Sequence, residues 1–95
     1  MALSACGGRL PNPSTSQKLI KKYFNKYGKK YPSTIYGQSK VAKVEIDKQS
    51  EIHKKFVSVE AYVVLEDGNL RKVIASLEKG PVSWKFVSWE DATGL

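Results

Sequence analysis

The sequence predicts an α+β domain in which one N-terminal amphipathic helix packs on a four-stranded antiparallel meander sheet, in the order α-β-β-β-β. Three features carry that expectation. Leu19, Ile20, Tyr23, Phe24 and Tyr27 recur at the 3.6-residue spacing of one helix face. Downstream of residue 40 the apolar residues alternate with polar ones, as on a strand with one face buried. Asp67-Gly68 and Gly80-Pro81 then punctuate the apolar runs where short turns would join antiparallel neighbours.

Residues 1–13, with Gly7, Gly8, Pro11 and Pro13 and no periodicity, read as a flexible lead-in or tether. The folded domain is expected over 14–91, followed by a short tail at 92–95. Ser14 with Gln17 three residues on fits a capping box, and Gly28 with Pro32 beyond it suggests a stop, so the helix is placed at about 15–28. The stretch "YPSTIYGQS" reads as a loop. In "KVAKVEID", Ala42, Val44 and Ile46 are expected to face the core and Lys43, Glu45 and Asp47 the solvent.

"HKKFVSVEAYVVLE" reads as a long central strand that begins near His53. It carries Val57, Val59, Ala61, Val63 and Leu65 on one side, with Phe56, Tyr62 and Val64 on the other. Asp67-Gly68 should turn it back into "NLRKVIASLE", because both residues tolerate positive φ. In the last strand, "VSWKFVSWE", the spacing of five places Trp84 and Trp89 on opposite faces of a regular strand. One of the two would fill the core and the other would stay outside.

A 95-residue chain forms one domain and buries only about 60 to 65% of its unfolded surface. Its single cysteine rules out an internal disulfide, and no apolar run approaches the roughly 20 residues of a spanning helix. Net charge is +7, and most of the excess lies in one segment: Lys18, Lys21, Lys22, Lys26, Lys29 and Lys30 occur with no acid among them. Lys18, Lys22, Lys26 and Lys29 fall almost opposite the apolar helix face, flanked by Lys21. That pattern is the solvated side of an amphipathic helix, or a surface that attracts a membrane or nucleic acid. Arginine, whose fork suits phosphate and base recognition, occurs only at positions 9 and 71, so nucleic acid is the less favoured partner.

The lone histidine, His53, excludes a His-based metal cluster, and the nine acids are scattered over expected wet faces and turns. No nucleophile, acid–base pair or cofactor motif is present, so the expectation is a non-enzymatic protein with no catalytic residue, no cofactor and no metal.

Leu3-Ser4-Ala5-Cys6 resembles the lipobox of bacterial lipoproteins, in which an apolar residue and two small ones precede a cysteine that accepts a diacylglycerol. The resemblance implies lipidation at Cys6, a signal peptide of which the expected apolar stretch lies upstream of the given sequence, and a cell-envelope location. Residues 7–13 would then be the leash. Gly7 after the cysteine, in place of the aspartate associated with inner-membrane retention, implies the outer membrane, its periplasmic face or the cell surface.

Helix, meander and the closing Gly80, Trp84, Lys85, Phe86 and Val87 are similar to the cystatin-like and NTF2-like α+β group found in small bacterial lipoproteins. The protease-binding Gln-Xaa-Val-Xaa-Gly of cystatins is absent, since Gln38-Ser39-Lys40-Val41-Ala42 has the wrong spacing and no glycine. Protease inhibition is therefore not implied. The leading expectation is a lipid-anchored binding module that engages a protein or envelope component through its exposed sheet face, with Phe56, Tyr62 and one of Trp84 and Trp89 as anchors. A basic module for nucleic acid or another anionic polymer is the second reading. An NTF2-like pocket lined by Tyr23, Phe24, Tyr62 and Trp84 is the third.

Overall fold

The structure, a computed structural model, describes residues 10–93. It is the expected α+β arrangement. Helix α1 (Pro13–Lys30) and a single-turn helix α2 (Ile35–Gln38) precede strands β1 (Val41–His53), β2 (Phe56–Leu65), β3 (Leu70–Lys79) and β4 (Trp84–Asp91). The strands form one antiparallel sheet in sequence order, β1-β2-β3-β4.

Helix α1 is longer at both ends than the capping signals suggest. Asn12, not Ser14, is the N-cap: its side chain accepts from the Ser14 amide at 3.0 Å, and Pro13 takes the first helical position, where no amide is needed. Gly28 does not stop the helix. It is buried in the last full turn, where a β-carbon would lie 2.1 Å from the Tyr36 carbonyl oxygen. The missing side chain lets the backbone of α2 lie directly against α1. The stretch expected as a loop thus contains a helical turn, whose Tyr36 ring stacks on Phe24 with centroids 4.6 Å apart.

Strand β2 alternates without a break, and Val57, Val59, Ala61 and Val63 are fully buried beneath the helix. Val73, Ala75 and Leu77 of β3 continue that inner face. Ile20 and Phe24 close it from the helix side, both at 0% exposure. At the Asp67-Gly68 turn only Gly68 adopts positive φ, 93°. Asp67 instead accepts from the Asn69 amide at 2.9 Å.

The edge strands depart from simple alternation, and this corrects three expectations. In β1 the pairs Val41↔Leu65 and Val44↔Val63 flank a bulge, so Val41 is buried and Ala42 is exposed. A second irregularity, at Ile46/Lys48, puts Gln49 on the inner face opposite Val59, and a third follows at Glu51/His53. There its amide donates to the Pro11 carbonyl at 2.9 Å while its oxygen accepts from the Ser16 hydroxyl. His53 ends β1 and does not begin β2, because Lys54 and Lys55 form a tight turn, with Lys55 at φ 70°.

In β4 a register shift separates Leu77↔Phe86 from Ser76↔Ser88. The extra residue, Val87, brings Trp89 opposite Ala75 and leaves Trp84 opposite Lys79. Both tryptophans therefore point to the helix side and pack against the core, not to opposite faces. Pairing runs on past β4: the Ala92 amide donates to the Lys72 carbonyl, and Ala92 is buried.

The backbone of α1 approaches edge strands β1 and β4 more closely than the two central strands. Bulges bend and twist the strands that carry them, so the sheet curls its edges up around the helix.

Gly28→Ala is expected to lower stability by about 1–3 kcal/mol in urea denaturation, because the new methyl overpacks against the α2 backbone, although alanine is the better helix former by about 1 kcal/mol. Burial, reinforced by the Asp91 carboxylate, pushes the Tyr36 phenol up to about 12. The unfolded phenol ionises near 10, so the folded state retains a proton that the unfolded chain releases between those values. Stability is thus expected to be full below about pH 10 and to fall toward pH 12. Tyr36→Phe should remove that slope in denaturation midpoints measured across the range.

Candidate functional site

The space between helix and sheet is filled. Phe24 lies at its centre, edge-on to Trp89 at 4.8 Å and stacked on Tyr36. Tyr23 stacks on Phe86 at 4.0 Å with the rings 11° apart, and the Trp89 indole N–H donates to the Tyr23 hydroxyl at 3.1 Å. Tyr27 packs edge-on to Trp89 and Tyr36. The tyrosines of the helix thus belong to one aromatic cluster that grips β4 and α2. The postulated pocket of Tyr23, Phe24, Tyr62 and Trp84 is not assembled, because Tyr62 lies on the opposite face of the sheet, in register with Lys72. The clefts that exist lie outside this interior.

The outer sheet face is the surface expected to meet a partner. Phe56 and Tyr62 are indeed there, half-buried, with Val64, Leu70 and Ile74. Neither tryptophan joins them, for the reason the β4 bulge supplies. The registers also align Ser50, Ser58, Ser76 and Ser88 in one row across all four strands.

Three ion pairs lie on this face. Lys43 pairs with Glu45 at 2.9 Å, Lys72 with Glu60 at 3.6 Å, and Lys85 with Glu78 at 3.5 Å. Lys72 also reaches over the Tyr62 ring at 5.7 Å. All three ion pairs found among the described residues lie on the outer sheet face, which leaves the opposite side of the molecule with unbalanced positive charge.

That positive charge is carried by α1. Lys18, Lys21, Lys22, Lys26, Lys29 and Lys30 are all exposed, and none pairs with an acid among the described residues. The helix positions them on a half-cylinder opposite Ile20 and Phe24. Lys21 and Lys18 border a groove against Lys43 of β1, while Lys29 faces Lys40 in a second groove beside Gly28. The groove at the start of β1 also holds Glu45, which is paired with Lys43, so the unpaired charge there belongs to the helix lysines.

A second cationic feature was not legible in the sequence. At the end of the sheet where β1 turns into β2 and β3 into β4, a cleft of about 660 Å³ is lined by Ile52, His53, Lys54, Lys55, Lys79 and Trp84, together with Glu51. The Lys79 ammonium lies 6.0 Å from the Trp84 ring centre. These residues are separated by up to thirty-three positions in sequence, and only the register Lys79↔Trp84 and the Lys79 amide bond to the Lys55 carbonyl bring them together.

Among the described residues no group of three or more His, Cys, Asp and Glu side chains could hold a metal, and no helix is long and apolar enough to cross a membrane. Cys6 lies outside the described residues. No family model, curated protein or solved structure matches the chain.

Since the helix lysines are solvated and carry no ion pair, replacing Lys18, Lys22 and Lys26 together by glutamine is expected to change stability by no more than about 0.5 kcal/mol per site. Thermal denaturation checks this, and a larger loss would assign these lysines to the fold.

Proposed function

We propose that the protein is a non-enzymatic binding module of the bacterial cell envelope, held at a membrane by a lipid on Cys6 and engaging a protein or envelope component through its outer sheet face. The observation that carries the binding reading is the filled interior. With Phe24, Trp89 and Tyr36 in mutual contact between helix and sheet, no chamber for a small ligand separates the layers, and recognition falls to the surface. Phe56 and Tyr62 supply aromatic area on a sheet face that no other element among the described residues covers. The paired charges around them set which partner surfaces are complementary.

The anchoring half of the reading rests on the lipobox-like Leu3-Ser4-Ala5-Cys6. Only Gly7, Gly8 and Arg9 separate that cysteine from Leu10, which packs on the core, so a lipid at Cys6 would hold the domain close to the membrane.

One observation favours a second reading. The exposed, unpaired lysines of α1 suit an anionic polymer, nucleic acid included. The two readings separate in one experiment on the chain expressed in bacteria behind a lipoprotein signal peptide. Labelled palmitate is expected to enter the wild-type protein and to be lost in Cys6→Ser, which should also leave the membrane fraction. Absence of label from the wild type, together with salt-sensitive binding of the purified chain to nucleic acid, would favour the second reading.

A further inference from the structure

Two hairpin tips meet at one end of the sheet, and both expose apolar side chains. Ile52, just before the Lys54-Lys55 turn, is 56% exposed, and Val82, in the turn between β3 and β4, is 95% exposed. Val82 is the most exposed of the large hydrophobic residues described. Trp84, two residues after Val82, shares the wall of the cleft with Ile52. Tryptophan with aliphatic tips is the composition of a surface that rests in the headgroup region of a bilayer, where the indole has both an apolar and a polar neighbour.

The charge around these tips has one sign in excess. Lys54, Lys55 and Lys79 line the same cleft, while Glu51 is its only acid. None of the three lysines takes part in the ion pairs of the described residues, which all lie on the outer sheet face. A lysine brought to an anionic lipid surface is worth about fivefold in partitioning. Three of them flanking an apolar tip match that chemistry better than a neutral partner.

The path of the chain points the same way. The Pro11 carbonyl accepts from Gln49, two residues before the cleft residue Glu51, and Leu10 packs on the core at this end. Cys6 is four residues upstream of Leu10, a span of at most ~14 Å. A lipid there would bring this end of the sheet, and not the Gly68 end, to the bilayer.

We infer that the paired hairpin tips, with Ile52, Val82 and Trp84 as the apolar contact and Lys54, Lys55 and Lys79 as the headgroup contact, form a docking surface for an anionic lipid bilayer. The orientation of the domain at the membrane rests on the proposed lipidation of Cys6. The docking chemistry does not, and it is tested without the lipid.

The probe is a sedimentation assay in which the full chain carrying Cys6→Ser meets vesicles of phosphatidylcholine alone, or of phosphatidylcholine with a third of phosphatidylglycerol. The expected result is partitioning to the anionic vesicles that is at least tenfold stronger than to the neutral ones and falls with salt. Ile52→Glu with Val82→Glu should weaken it by tenfold or more. Lys54→Gln, Lys55→Gln and Lys79→Gln together should weaken it similarly and flatten the salt dependence. Lys18→Gln, Lys22→Gln and Lys26→Gln together should retain most of it.

Folding of each variant is checked by its thermal transition, and all the replaced side chains are exposed. No preference for anionic vesicles, undiminished binding by the Ile52/Val82 variant, or loss confined to the helix variant would each overturn the docking surface. Preference for nucleic acid over vesicles in direct competition would overturn it as well. Failure of palmitate labelling at Cys6, with vesicle binding intact, would remove only the anchor.

Discussion

Phe24 has no exposed surface, and it is held by rings from three different elements: Tyr23 and Tyr27 of its own helix, Tyr36 of α2 and Trp89 of β4. A single helix has to cover the inner face of a four-stranded sheet, and it does so only because the edge strands bend toward it. Three irregularities in β1 and one in β4 supply the bend. Without the β4 bulge, a strand of period two would carry either Phe86 or Trp89 to the solvent side, and the aromatic cluster would lose a wall. At the other end of the helix, Ser16, Gln49 and the Pro11 carbonyl form a polar clamp that satisfies Ser16, the one buried polar side chain among the described residues.

This arrangement divides the surface by charge. Two outer-face ion pairs, Lys72–Glu60 and Lys85–Glu78, join neighbouring strands, and a third, Lys43–Glu45, lies along β1, so those charges neutralise one another at short range. The helix carries no acid at all between Lys18 and Tyr31, and its lysines have no local partner to meet. The molecule therefore has a sheet face with three ion pairs on one side and a basic helix on the other, with mixed apolar and basic hairpin tips at one end. The tips lie beside the point where the N-terminal segment joins the domain. If that end meets a bilayer, the helix and the outer sheet face stand to either side, both open to other molecules.

The interior offers no further chemistry to this division of surfaces. Tyr36 is its most strongly perturbed ionisable group, and its shift arises from burial in the aromatic cluster. The Asp91 carboxyl is held below its usual range by hydrogen bonds from the Thr93 hydroxyl and amide. Both effects belong to the closing of the fold around α2 and the end of β4. Tyr36 borders the groove of Asn25, Lys29 and Lys40, with its ring stacked on Phe24, and Asp91 lines none of the clefts found among the described residues.

The local pattern of residues determined the class of the fold, the face of α1, the inner and outer sides of β2 and β3, and the Gly68 turn. Each of these depends on side-chain periodicity or turn chemistry within a few positions. The tertiary structure alone decided the features that need a partner strand or helix. The β1 bulge that buries Val41 in place of Ala42 is set by the register against Leu65 and Val63. The shared face of Trp84 and Trp89 comes from pairing with β3, which absorbs Val87 as an extra residue. Gly28 read as a stop because glycine commonly ends helices; the carbonyl of Tyr36, eight residues on, makes it a point of close contact. The basic cleft at the hairpin tips likewise exists only once two turns from different parts of the chain are laid side by side, because charges that are scattered in sequence combine only through register.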